Sequence, residues 1–113
     1  MKPLFKNYNF DFDSSEKKLL STMVKQILRQ IEGDDRYITE IRIYKSLSEK
    51  LASSQSPIKL TKEEVKRLEL QLKENAKLLR EKIKKSIFFL RWLYKPLLKQ
   101  YETILSRHFN QKL

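Results

Sequence analysis

A single apolar stripe runs through the C-terminal half of the chain and limits the folds open to it. At about 100° per residue, its side chains stay within one sector of a helical wheel over roughly forty residues. The stripe consists of Val65, Leu68, Leu72, Ala76, Leu79, Ile83, Leu90, Tyr94, Leu97, Tyr101 and Ile104. This spacing is typical of an amphipathic helix. It predicts helices over 62–94 and 96–110, with a kink or break near Pro96, because proline disturbs a helix interior.

The length of this stripe creates a packing problem. An uninterrupted helix over 62–110 would be about 75 Å long, whereas each of the two earlier helical segments would cover only about 28 Å. One solution is a chain that folds back, with a break near 84–86 or at Pro96. The other is a second subunit that covers the excess length, which predicts a possible homodimer. The sequence leaves both open.

Two shorter helices are predicted over 14–32 and 36–52. Asp13 and Glu16 have the spacing of a capping box at the start of the first, and Thr61 and Glu64 repeat it before the third. Gly33, the only glycine, follows the first helix where a left-handed residue is favoured. The second helix places apolar side chains on one face at Tyr37, Ile41, Tyr44, Leu47 and Leu51.

Residues 1–13 do not have a helical pattern. Phe10 and Phe12 alternate with Asp11 and Asp13, which is typical of an extended segment. We expect this N-terminal arm to lie across the helices, and we expect residues 53–59 to form a polar loop. The complete chain, 1–113, is therefore predicted to be a single all-α domain: an up-and-down bundle of three to four helices with an extended arm.

Catalytic and metal-binding patterns are scarce. The chain has no cysteine and one histidine, His108, which falls on the apolar side of the last helix. The helical Glu-x-x-His metal motif is not present there, since the residue three positions before His108 is Leu105. One glycine cannot build a glycine-rich phosphate loop. We therefore predict a protein that is not an enzyme, with no catalytic residue, no metal site and no cofactor.

Positive charge is concentrated in the C-terminal half. Between Lys77 and Lys99 there are eight lysine or arginine residues and one acidic residue, which gives +7 of the total net charge of +11. On a helix, six residues of this segment share a face roughly opposite the apolar stripe. These candidate binding residues are Lys84, Phe88, Arg91, Trp92, Lys95 and Lys99.

This basic aromatic face has several interpretations. In the interpretation that we favour for Trp92, other parts of the chain cover Phe88 and Trp92, and the cations form a solvated rim. If the face is instead exposed, it suits a protein partner or self-association, because tryptophan and arginine are natural anchors at protein interfaces. It also suits nucleic acid, through stacking and phosphate contacts. In-plane membrane binding is less favoured, because Arg91 interrupts the apolar surface and the opposite face is needed for a core.

The predicted function is therefore that of a small basic helical binding or scaffolding protein. It contacts a protein or other anionic partner through residues 77–99, and the alternative is an RNA- or DNA-binding protein that uses the same face. The N-terminal residues lack the apolar core of a signal peptide. The longest apolar run, 87–90, is far short of the roughly 20 residues that span a bilayer. We expect a cytoplasmic protein without a transmembrane segment.

Overall fold

The computed structural model of the chain describes residues 8–85 and 88–109, with the backbone alone at 88–90. In these residues the chain is an all-α helical bundle with one small two-stranded sheet, which confirms the predicted fold class. The elements are β1 (Tyr8–Phe10), α1 (Ser14–Ile31), a 3-10 turn (Asp35–Tyr37), α2 (Ile38–Ala52), β2 (Ile58–Leu60), α3 (Lys62–Lys85) and α4 (Phe88–Phe109).

The predicted helix caps are present. Asp13 accepts a hydrogen bond from the Glu16 backbone N–H at 2.8 Å, and the Glu16 carboxylate accepts one from the Asp13 N–H at 2.9 Å. Thr61 and Glu64 exchange the same pair of bonds at the start of α3. Gly33 has a φ of 83°, the left-handed conformation expected after α1. Each cap satisfies backbone donors or ends a helix where the local sequence predicts it.

The N-terminal arm is extended where it is described, but its partner was not predicted. β1 pairs antiparallel with β2, and Phe10 lies opposite Ile58. Residues 58 and 59 were expected at the end of a polar loop, before Leu60. They instead form a strand that buries Ile58 and Leu60 and exposes Lys59. Three residues are too few to display the alternation of a strand, and the pairing partner lies far away in the sequence. The first seven residues of the arm, 1–7, fall outside the described residues.

The chain divides into two compact units, Met1–Arg67 and Leu68–Leu113. In the first unit α1 packs on α2. Lys17, near the start of α1, donates hydrogen bonds to the carbonyls of Ser53 and Gln55 just after α2, so the two helices are antiparallel. Among the residues that the structure describes, the apolar core of this unit contains Phe10, Phe12, Leu20, Met23, Val24, Leu28, Ile43, Tyr44, Leu47, Leu51, Ile58 and Leu60.

The second unit contains most of α3 and all of α4. Arg80 and Glu102 form an ion pair of 2.9 Å, so the chain reverses direction between the two helices. α3 ends at Lys85, α4 begins at Phe88, and Pro96 lies inside α4. The predicted helices 62–94 and 96–110 are therefore corrected: the boundary is not at Pro96. The observed boundary agrees with the other break that was predicted from the sequence, near residues 84–86.

A physical reason for this boundary is the charge of the last turn of α3. Lys82, Lys84 and Lys85 lie there, and positive charges stabilise the negative end of the helix dipole. Proline distorts a helix without having to end it. The resulting helices have 24 and 22 residues, or about 36 and 33 Å. The overlong helix that motivated a homodimer does not exist.

None of the helices, over the residues that the structure describes, is both long enough and apolar enough to pass through a bilayer.

Candidate binding surface

Six exposed basic side chains surround the end of the α3–α4 hairpin where the chain reverses. We call this surface the basic tip: Lys82, Lys84 and Lys85 on α3, and Arg91, Lys95 and Lys99 on α4. Across 80–85 and 91–100 the only acidic residue is Glu81. The tip is therefore a cationic surface with little internal neutralisation.

The tip takes little part in the core of its unit. The buried side chains of the second unit, among the described residues, are Leu68, Leu72, Ala76, Leu79, Tyr101, Ile104 and Leu105. All of them precede residue 80 or follow residue 100. Across 80–85 and 91–100 every side chain is exposed or half-buried. The described apolar side chains of these two ranges are thus at least partly accessible from outside the chain.

Trp92 is the most exposed large apolar residue in the described part of the chain. Its side chain is 77% exposed, and that of the next residue, Leu93, is 60% exposed. The expectation that Trp92 lies in a core is wrong. Trp92 lies about 180° around α4 from the buried Tyr101. Helical periodicity shows that a helix has two apolar sides, but it does not show which side other elements cover.

The candidate residues predicted from the sequence do not share one helix. Lys84 lies on α3, whereas Arg91, Trp92, Lys95 and Lys99 lie on successive turns of α4. The four residues on α4 share one face by their spacing, and all four are exposed. Phe88 belongs to the first turn of α4, but its side chain lies outside the described residues. The reversal of the chain brings Lys84 to the same end of the hairpin.

Two contacts join the end of α3 to the start of α4. The Arg91 Nε donates a hydrogen bond of 3.1 Å to the carbonyl of Ile83, in the last turn of α3. It satisfies one of the carbonyls that a helix leaves without a partner, and it places positive charge at the negative end of the dipole. The Lys82 Nζ lies 5.8 Å from the centre of the Tyr94 ring, within the range of a cation–π interaction. Neither contact was predicted from the sequence.

A shallow cleft opens beside these contacts. It is lined by Leu78, Glu81, Lys82, Lys85 and Tyr94. Among residues 8–85 and 88–109, no three His, Asp or Glu side chains are grouped closely enough to hold a metal ion. His108 lies in the last turn of α4 and is half-buried. The chemistry that the basic tip offers is charge attraction and apolar contact.

No protein-family model, curated protein or solved structure matches this chain.

Proposed function

We propose that the protein is a small, basic, non-catalytic binding protein that contacts an anionic partner through the basic tip. One observation carries the proposal: Trp92, 77% exposed, lies on the same face of α4 as Arg91, Lys95 and Lys99. A tryptophan on the surface beside several cations offers a partner apolar area that it can bury. A cytoplasmic location, expected from the sequence, is part of the proposal.

The charge of the basic tip determines the sign of the partner. Its six exposed cations lie within 82–85 and 91–99, and these two ranges contain no acidic residue. Such a surface attracts polyanions and speeds their association. An acidic protein surface and a nucleic acid both meet this requirement. Self-association does not, because two copies of the same cationic surface repel each other.

Nucleic acid is the second candidate partner, favoured by the spacing on α4. Arg91, Lys95 and Lys99 rise by about 6 Å from one to the next, and they can hold successive phosphates of a single strand. The indole of Trp92 can stack on a base, as aromatic side chains do in proteins that bind single strands.

The experiment compares two double charge reversals. Lys95→Glu/Lys99→Glu changes the basic tip, and Lys25→Glu/Lys45→Glu changes exposed lysines of α1 and α2 by the same amount of charge. Binding of each variant is measured to polyglutamate, to single-stranded RNA and DNA, and to phosphatidylserine vesicles.

For at least one polyanion, the reversal at the tip should weaken binding by about tenfold or more. The variant has two fewer cations with which to neutralise phosphates or carboxylates of the polyanion. The control should have a much smaller effect. Equal losses for the two variants with every polyanion would contradict the proposal, since bulk charge alone would then account for binding.

A further inference from the structure

We infer that the anionic partner is the surface of a phospholipid bilayer, with Trp92 and Leu93 inserted among the headgroups and the lysines of the basic tip on lipid phosphates. This inference rests on the proposed function, since it names the partner of the same surface.

The exposed side chains of α4 fall into two adjoining sectors of the helix. Trp92, Pro96 and Leu93 are all exposed, and by their spacing they span about 100° of the helix. Arg91, Lys95 and Lys99 fill the adjoining sector of about 80°. A helix with an apolar sector beside a sector of lysine and arginine is typical of elements that lie in the plane of a membrane surface.

The structure removes the two objections to membrane binding that the sequence raised. Arg91 lies at the far edge of the basic sector, about 100° around α4 from Trp92, so it does not interrupt the apolar sector. Its Nε already donates to the Ile83 carbonyl. The opposite side of α4 is needed for a core, but the buried residues among its described side chains, Tyr101, Ile104 and Leu105, lie in the C-terminal half. Insertion of Trp92, about 180° around the helix from Tyr101, leaves these residues covered.

Composition favours a bilayer over a protein partner. Five of the six cations of the basic tip are lysines: Lys82, Lys84, Lys85, Lys95 and Lys99. Lysine is depleted at protein–protein interfaces, where arginine is enriched. Lysine is effective at an anionic leaflet, because clustered basic residues are attracted to its surface potential without a fixed geometry.

The exposure of Leu93 favours a bilayer over nucleic acid. Base stacking uses the ring of Trp92 and leaves Leu93, which is 60% exposed, without a role. A bilayer accepts both side chains, since indole rings are preferred at the membrane–water interface and leucine enters the acyl boundary. The cytoplasmic leaflet carries the negative charge that the tip requires.

The chain contains a built-in probe for the test. Trp92 is its only tryptophan, so emission excited at a wavelength that the five tyrosines do not absorb reports on Trp92 alone. Vesicles of phosphatidylcholine with phosphatidylserine should shift the emission to shorter wavelength and protect the indole from acrylamide quenching. Vesicles of phosphatidylcholine alone should have neither effect, because the lysines then have no anionic surface to bind.

A pair of leucine variants separates insertion from simple charge attraction. Leu93→Ser should weaken binding to the phosphatidylserine vesicles by about tenfold, because an inserted apolar side chain is lost. Leu70→Ser removes another exposed leucine, 50% exposed and on α3 before the basic tip, and should leave vesicle binding unchanged. Both variants keep Trp92 as the probe.

The inference is overturned if the emission of Trp92 does not shift with phosphatidylserine vesicles, or if the two leucine variants bind them alike. The proposed function survives that result when RNA, DNA or polyglutamate binding still depends on Lys95 and Lys99. The proposed function fails together with the inference only when the reversal at the tip and the Lys25→Glu/Lys45→Glu control lose the same binding affinity for every polyanion.

Discussion

The Nζ of Lys50 lies 2.6 Å from the Oε1 of Glu64 and joins α2 to the first turn of α3. Glu64 is buried, and its other carboxylate oxygen accepts a hydrogen bond of 2.6 Å from the Ser46 hydroxyl. Burial raises the pKa of Glu64, but the bonds from Lys50, Ser46 and the Thr61 backbone outweigh it, so the net pKa lies below its ordinary value. The first unit thus contains a buried carboxylate whose ionised form is favoured by the fold.

This lowered pKa predicts a loss of stability in acid. A carboxylate with a lower pKa in the folded state contributes stability that is fully present above its unfolded value, about 4.5. The contribution is lost as the pH falls below that value and through the folded pKa. Urea denaturation at a series of pH values should show the free energy of unfolding falling below about pH 4.5.

Glu64→Gln assigns that pH dependence to one residue. The variant keeps a capping side chain but loses the ion pair, so we expect a loss of about 2 kcal/mol at neutral pH and a weaker decline in acid. Glu63→Gln, at the exposed neighbouring position, is the control and should change stability by less than about 0.5 kcal/mol. An unchanged acid profile in Glu64→Gln would show that other carboxylates are responsible.

The cap of α3 can be tested with two threonines. Thr61→Ala removes the hydroxyl that accepts from the Glu64 N–H at 3.2 Å and should cost about 1 kcal/mol. Thr22→Ala is the control, because its hydroxyl bonds only to the Lys18 carbonyl inside α1, a contact that contributes little to a helix. Equal denaturation midpoints for wild type and Thr61→Ala, with equal slopes, would mean that α3 begins elsewhere.

Arg91 should stabilise the hairpin as well as carry charge. Arg91→Gln removes the bond to the Ile83 carbonyl, and we expect a loss of roughly 1 kcal/mol with faster amide exchange in the last turn of α3. Lys95→Gln removes the same charge one turn along α4 and should change stability by less than about 0.5 kcal/mol. If the two variants are equally stable, Arg91 contributes to the tip through its charge alone.

Trp92 should contribute little to folding. Its side chain is 77% exposed, so Trp92→Ala should change the free energy of unfolding by less than about 0.5 kcal/mol. Tyr101→Ala, at a buried position of the same helix, should cost about 3 kcal/mol or more. Thermal or urea denaturation measures both. A large loss in Trp92→Ala would place the indole in a core and remove the main support for the basic tip.

The parts of the fold that the sequence predicted are those determined by short-range chemistry. The two capping boxes and the left-handed Gly33 depend on residues three or fewer positions apart, and each was found where expected. The amphipathic helices follow from a periodicity visible within a few turns. Because these signals are local, they are present before any tertiary contact forms.

The parts that the sequence missed depend on distant contacts. Phe10 and Ile58 pair across β1 and β2, and no local pattern marks two three-residue strands as partners. The bond from Arg91 to Ile83 exists only because the chain reverses between α3 and α4. Pro96 gave a stronger local signal than the true helix end, although it lies inside α4. Which residues lie together in the basic tip could therefore be recognised only from the tertiary structure.

The salt dependence of binding tests the central claim most directly. For the polyanion that the protein binds most tightly, the association constant of wild type should fall steeply with salt, because binding releases counterions. Lys95→Glu/Lys99→Glu should bind more weakly and with a flatter slope, whereas Lys25→Glu/Lys45→Glu should keep the wild-type slope. If both double variants flatten the slope equally, the basic tip is not the binding surface.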